Sequence, residues 1–278
     1  MRGLDFTLGK YEQLCSTIVD SGYEVKTVRD YLADARSRGP YVVILRHDVD
    51  RKPQKAVDMA LLEKDHGLSS TYYFRYTRDV FKEEVIRKIE VLNHEIGYHY
   101  ETLSKARGDY RKALQLFQEE LLALRKIAEV STICMHGRPL SAWDNRWLWK
   151  KYDFRQFQIL GEAYLSIDYS QVTYLTDTGR SWNANKVNIR DRAYARSQIA
   201  VQTTDDLMEL IRSKALPKMC IQTHPERWDC KFSGWLLQLV KDNLSNLAKC
   251  MVFHLIVARR RKHSRTESDE YGVPNTAV

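Results

Sequence analysis

The sequence predicts an α/β fold built on a parallel sheet, open or closed into a barrel. Two observations carry that expectation. Apolar runs of strand length alternate with stretches of helical period over most of the 278 residues, which is the pattern of βαβ units. The first of these runs, Tyr41-Val42-Val43-Ile44-Leu45, is continuous and β-branched rather than alternating, as in a strand covered on both faces. Composition agrees. With 44% hydrophobic and 29% charged residues the chain is neither disordered nor fibrous, and its length suits one large core.

Each element has its own local reason. Thr7 is placed to cap a helix from Leu8 to Ser21, with Leu8, Tyr11, Leu14, Cys15 and Ile18 on one face and Gly22 as the stop. Thr27 caps a short second helix, and Gly39-Pro40 breaks the chain before the first apolar run. Helices are then expected over Pro53 to Asp65, Asp79 to Leu92, Tyr110 to Ala128 and Trp143 to Lys151. Between them fall strands at Thr71 to Phe74, Glu95 to Tyr100 and Val130 to Met135. Extended pieces follow at Phe157 to Leu160 and Val172 to Leu175. Thr204 is placed to cap Asp205 to Ser213, whose acidic first turn suits the helix dipole. A strand at Met219 to Thr223 and a closing helix from Ser233 to Lys249 or beyond complete the pattern.

No repeat or internal linker divides this run, so one domain is expected over 1–258, followed by a tail over 259–278. No apolar run approaches the ~20 residues a membrane span needs, and the N-terminus carries no signal-peptide pattern. Five cysteines (Cys15, Cys134, Cys220, Cys230, Cys250) are scattered without a Cys-x-x-Cys. A disulfide framework is therefore not expected, and a cytoplasmic location is. The net charge is +8, of which the tail contributes five Lys/Arg against three Asp/Glu. Its block Arg259-Arg260-Arg261-Lys262 reads as a solvated terminus, with peripheral contact to the inner membrane as the alternative and no nucleic-acid partner expected.

Ligands of parallel α/β folds bind at the carboxyl ends of the strands, where the loops converge. Here five strand ends are followed by a His, an Asp or both: Arg46-His47-Asp48-Val49-Asp50, Tyr98-His99-Tyr100-Glu101, His136-Gly137-Arg138-Pro139, Asp177 to Arg180, and His224-Pro225-Glu226-Arg227-Trp228. Asp48 and Asp50 alternate with Val49 and point to one side of an extended backbone. Two carboxylates so close call for a cation or a shared proton; the alternative is an aspartate capping the helix at Pro53. His99 and Glu101 share a face in the same way and suit a nitrogen and an oxygen ligand of one divalent ion. His136 can project into the mouth, whereas Cys134 on its face reads as a buried apolar cysteine. His94 precedes its strand and reads as a loop or supporting residue. Arg138 could grip a carboxylate or simply sit at the surface. His224, fixed by Pro225, is a candidate proton donor, and the aromatic side chains Tyr98, Tyr100, Trp143, Trp182 and Trp228 suit either sugar stacking or packing.

On these residues the sequence resembles the NodB-type polysaccharide deacetylases, the superfamily of carbohydrate esterase family 4, and within it a divergent branch tied to surface-polysaccharide (O-antigen) synthesis. The resemblance runs from Tyr41 to Trp228. It rests on Leu45-Arg46-His47-Asp48-Val49-Asp50, His94-Glu95-Ile96-Gly97-Tyr98-His99, Gly137-Arg138-Pro139, more loosely Asp177 to Trp182, and Ile221-Gln222-Thr223-His224. It implies a distorted (β/α) barrel, with N-terminal helices and a long C-terminal helix around it. It also implies a metal-dependent hydrolase that removes N-acetyl groups from an amino sugar or polysaccharide precursor. Carried over by residue, Asp48 is the base, Asp50 and His99 are metal ligands, Arg138 orients the base, and Asp177 partners His224, the acid. One divalent cation, zinc, is implied, and Glu101, Tyr98, Trp182 and Trp228 are assigned to the substrate.

Two departures stand out. Val49 separates aspartates that are adjacent in the family. Leu103 stands where the second ligand histidine is expected, so a ligand is missing unless Glu101 or His136 replaces it, with His136 favoured because it comes from another strand end. Leu103 equally supports a non-catalytic glycan- or partner-binding protein on the same scaffold. An Asp-x-Asp phosphohydrolase would use Asp48-Val49-Asp50 but leaves His99, His136 and His224 without a role.

Overall fold

A computed structural model describes residues 4–34, 39–138, 141–182 and 201–244. Its centre is one eight-stranded sheet: β1 (Glu24–Lys26), β2 (Val42–Val49), β3 (Thr71–Arg75), β4 (Glu95–Tyr100), β5 (Thr132–Met135), β6 (Gly161–Glu162), β7 (Thr173–Thr176) and β8 (Lys218–Thr223). The order is β6-β5-β4-β3-β2-β8-β7, with β1 beside the first half of β2, and every pairing is parallel. The edge strands β6 and β7 share no ladder. Instead Tyr164, just past β6, brings its hydroxyl within 3.3 Å of the Tyr174 hydroxyl on β7. The sheet is thus a curled half-barrel, an α/β architecture of the distorted-barrel kind, with its last seam made by side chains.

The helices are α1 (Leu8–Asp20), α2 (Val28–Ala33), α3 (Pro53–Asp65), α4 (Glu83–Val91), α5 (Thr102–Lys105), α6 (Tyr110–Arg125), α7 (Leu148–Lys151) and α8 (Thr204–Arg212). Caps explain several bounds. Thr7, Thr27 and Asp109 each accept a hydrogen bond from the third residue on, the Lys10, Asp30 and Lys112 amides. The cap of α8 is Thr203, not Thr204, in a reciprocal capping box with Asp206. The helix expected from Asp79 begins only at Glu83, because residues 77–81 first close a turn on Thr77 O and Lys82 is extended. Phe157 to Leu160 is not a strand. Asp153 caps a 3-10 turn over Phe154–Phe157 and Gln158 turns left-handed, so pairing is delayed to Gly161–Glu162. A last helix is described over 232–244; the rest of the expected closing helix and the 259–278 tail lie outside the described residues.

Strand alternation splits the buried side chains into two sets. Val43 and Leu45 of β2, Leu175 of β7, and Met219 and Ile221 of β8 face outward beneath α1 and α8, packing with Leu14, Ile18, Leu207 and Ile211. Val42 and Ile44 alternate to the inner face, and Arg46, two residues further along, puts its guanidinium over the rings of Tyr73, Tyr164 and Tyr174 at 5.7, 4.6 and 5.9 Å. Gly97 makes room for this. A Cβ there would lie 2.3 Å from the Tyr73 ring.

Candidate metal centre and active site

β2 is longer than its apolar run. It continues to Val49, so His47 and Asp48 are strand residues and Asp50 is the first residue beyond. Parity therefore turns Asp48 and Asp50 inward with Arg46, while His47 faces outward. Arg75 of β3 pairs in register with His99 of β4, and His99 with Cys134 of β5, so these three stand side by side on the inner face. His136 follows β5, and its amide donates to Tyr100 O at 2.8 Å, which carries the register one step further. His224 and Asp177 follow β8 and β7 and are joined by two hydrogen bonds given below.

At the centre of this cluster is the Asp50 carboxylate. Its Oδ1 lies 3.3 Å from His99 Nε2 and 3.5 Å from His136 Nε2. That oxygen is buried and has no hydrogen-bond partner among the described residues. Both imidazoles are held from behind by Nδ1. His99 Nδ1 donates to Cys134 O at 3.0 Å, and His136 Nδ1 donates to Glu101 Oε2 at 3.1 Å. Each ring therefore has only Nε2 left to offer toward Asp50, the arrangement that fixes metal-ligating histidines. Electrostatics point the same way. Burial would raise the Asp50 carboxyl, but His136 and His99 hold it well below the usual range. Burial likewise opposes charge on His136, yet Asp50 and Glu101 push it up to about 9. Asp50 Oδ1 and the two Nε2 atoms thus face one another in a site whose electrostatics favour a positive charge. The donor set fits a divalent cation.

Asp48 lies beside this point, its Oδ2 3.7 Å from His99 Nε2 and 3.3 Å from Arg46 Nη2. Across the mouth, His224 Nδ1 donates to Asp177 Oδ1 at 2.6 Å, and its Nε2 is 3.9 Å from Asp50 Oδ2. Asp177 is fully satisfied. It also accepts from the His224 amide at 2.9 Å, Arg227 Nη1 at 2.7 Å and Trp228 Nε1 at 3.0 Å. Burial and Arg227 both disfavour a proton on His224, but Asp177 and then Asp50 outweigh them and raise its pKa. Such an imidazole can carry a proton to a leaving group.

Several expected residues are placed elsewhere. Arg138 is on the rim with a half-exposed side chain, its Nε 3.8 Å from Glu101 Oε2; the guanidinium on Asp48 is Arg46's. The Glu101 side chain is almost wholly shielded from solvent. It is buried between His136 and Arg75, whose Nη2 donates at 2.8 Å, and these partners hold it down to about 2 against the opposing effect of burial. Tyr98 points outward under α6 and gives its hydroxyl to Glu120. Trp182 is buried against Phe6 and Trp228 and bonds Thr204, and Trp228 is buried behind Asp177. Leu103 is wholly buried in the core on α5. His94 is a buried outer-layer residue that accepts from the Ser70 amide and donates to Ala60 O.

Four contributors were not singled out from the sequence: Arg46, Arg75, Arg227 and Glu226. Arg46 was within reach of the same alternation that paired Asp48 with Asp50. Arg75 ends a strand whose end carries neither His nor Asp, so nothing there drew notice. Glu226 is buried with Oε2 unpaired among the described residues, and burial followed by Asp50 pushes its carboxyl up to about 7.

No protein-family model matches the chain, and no curated protein matches it. Among solved structures it is similar to a CE4 family pseudoenzyme of Bacillus anthracis and to two mutants of that protein, one described as having restored enzymatic activity. Each match has 15% identity and a TM-score of 0.40 and covers 72% of this chain. The chain spans 60 to 62% of the length of those structures.

Proposed function

We propose that this protein is a metal-dependent hydrolase that removes N-acetyl groups from an amino sugar or polysaccharide precursor. The observation that carries the reading is the unpaired, buried Asp50 oxygen with two back-held imidazole nitrogens aimed at it. Asp50, His99 and His136 would hold a divalent cation, zinc for this nitrogen and oxygen set, which supplies Lewis acidity toward a water and an acyl oxygen. Asp48 takes the proton from the attacking water, with Arg46 holding its carboxylate in place. His224, whose pKa Asp177 raises, gives a proton to the departing amine nitrogen. Arg75 and Glu101 hold His136 toward Asp50.

The test is acetate release from N-acetylated amino sugars by zinc-loaded protein. Asp48→Asn is expected to abolish turnover with an unchanged circular dichroism spectrum; near-wild-type activity would remove Asp48 from the chemistry. Leu103, in the position of a family ligand, supports the second reading of a glycan binder. Glycan binding without acetate release by the wild-type protein would favour it.

The same reading includes a lipid surface as partner. The last helix turns polar groups inward. Gln238 accepts from Lys52 Nζ at 3.1 Å, and Asp242 lies 3.5 Å from Arg180. Phe232, Leu236, Leu237, Val240 and Leu244 are left exposed. With Arg259-Arg260-Arg261-Lys262 further along the sequence, this face suits an anionic membrane surface that carries the substrate.

A further inference from the structure

His99 stands between two sets of donors. Toward the mouth are Asp50 and His136. Toward the floor of the barrel are Asp48 and Cys134, and one ligand atom each of Asp48, His99 and Cys134 lies within 4.8 Å of the other two. The fold forces this juxtaposition. Cys134 is the register partner of His99 across β4 and β5, so its short side chain points inward directly beside the imidazole. Asp48 Oδ2, fixed by Arg46, is 4.0 Å from Cys134 Sγ and 3.7 Å from His99 Nε2. Asp48 Oδ1 is buried with no hydrogen-bond partner among the described residues. All three residues are buried, and Cys134 is not in a disulfide.

A carboxylate, an imidazole and a thiol within one ion's reach form a donor set for a thiophilic divalent ion, zinc or cadmium, and not for magnesium or calcium. We propose that Asp48, His99 and Cys134 form an inner, thiolate-containing metal site that shares His99 with the outer set of Asp50 and His136. This rests on reading the centre as a metal site. Binding to the inner set releases the thiol proton to solvent and forms a metal–sulfur bond. His99 Nε2 has one lone pair, so the two positions exclude each other. An ion in the outer position leaves Asp48 available as a base, whereas one in the inner position uses Asp48 as a ligand and silences it. The inner site is therefore an inhibitory one, selective for soft ions.

Cobalt(II) titration of the metal-free, reduced full chain separates the two positions, because visible ligand-field bands report any protein site and a near-ultraviolet charge-transfer band reports a thiolate ligand. The expected result is both kinds of band. Cys134→Ser and Cys134→Ala should each lose the charge-transfer band and keep the visible bands. Cadmium affinity should fall at least roughly tenfold in both, the low end of the loss seen when even a group behind a ligand is changed. Visible bands with no charge-transfer band, or a charge-transfer band that survives both substitutions, overturns the inner site and leaves the outer one standing. No cobalt bands at all overturns both. Cadmium added to the zinc-loaded enzyme should inhibit the wild-type protein at concentrations at least roughly tenfold lower than it inhibits Cys134→Ser; equal inhibition would also count against the inner site.

Discussion

Glu101 is two residues from His99 and, in an extended chain, would share its face. In the structure β4 stops at Tyr100, and Glu101, with φ −143° and ψ 29°, turns into α5. The carboxylate swings behind His136 instead of into the mouth, where it meets Arg75. Its work is to fix the His136 ring and make Nε2 a better donor. Glu101→Gln should therefore leave the fold intact and weaken zinc binding by about 10–100-fold, measured by competition with a chelator; unchanged affinity would remove His136 from the ligand set. The same alternation rule that misplaces Glu101 places Asp48, Asp50 and Arg46 correctly, because β2 stays extended through Val49. Periodicity is readable only as far as the strand runs. Arg138 shows another limit, since the side chain nearest Asp48 comes from within β2 and not from a loop.

At the scale of elements, α3 (Pro53–Asp65) and β4 (Glu95–Tyr100) were legible to the residue, because a proline, a glycine stop and a sharp change of period mark them. The polar network that anchors α3 was not. Glu63 on α3 is wholly buried and accepts hydroxyls from Tyr11, Tyr72 and Ser70, with His47 Nε2 at 2.8 Å and His94 Nδ1 at 3.6 Å. It thus ties α1, α3, β2 and β3 together through partners far apart in sequence, which no local pattern announces. Burial opposes its charge, but His47, His94 and Ser70 bring its pKa down to about 2. A depressed carboxyl contributes stability that is present above the unfolded value of 4.5 and is lost as pH falls toward 2. The contribution is on the order of 3 kcal/mol. Burial, the largest cause, lowers the His94 pKa from 6.5, which adds loss in the same direction on acidification. Urea unfolding at pH 7, 5 and 3 should show Glu63→Gln destabilised at pH 7 and its deficit against wild type shrinking by pH 3. A constant deficit would mean that Glu63 does not titrate with the fold.

For the whole molecule, the α/β class and the parallel sheet were expected from alternation alone and its closure toward a distorted barrel from the family resemblance, whereas the outward face of the last helix was not. A helix that carries Gln238 and Asp242 inward and five large apolar side chains outward inverts the usual pattern, and only the packing shows which face is which. Among the described residues no helix is long and apolar enough to cross a membrane. The full chain should sediment with vesicles containing anionic lipid and not with purely zwitterionic ones, and added salt should weaken the association. Leu236→Asp should reduce it without affecting acetate release from a soluble substrate. Equal sedimentation with both kinds of vesicle would exclude the electrostatic part.

Tyr164 and Tyr174 meet across the gap between β6 and β7, and these two strands remain the edges of the sheet among the described residues. A long exposed strand of that kind recruits foreign chains. At two residues, Gly161–Glu162 is too short to template such an addition, and brevity there guards the protein against aggregation.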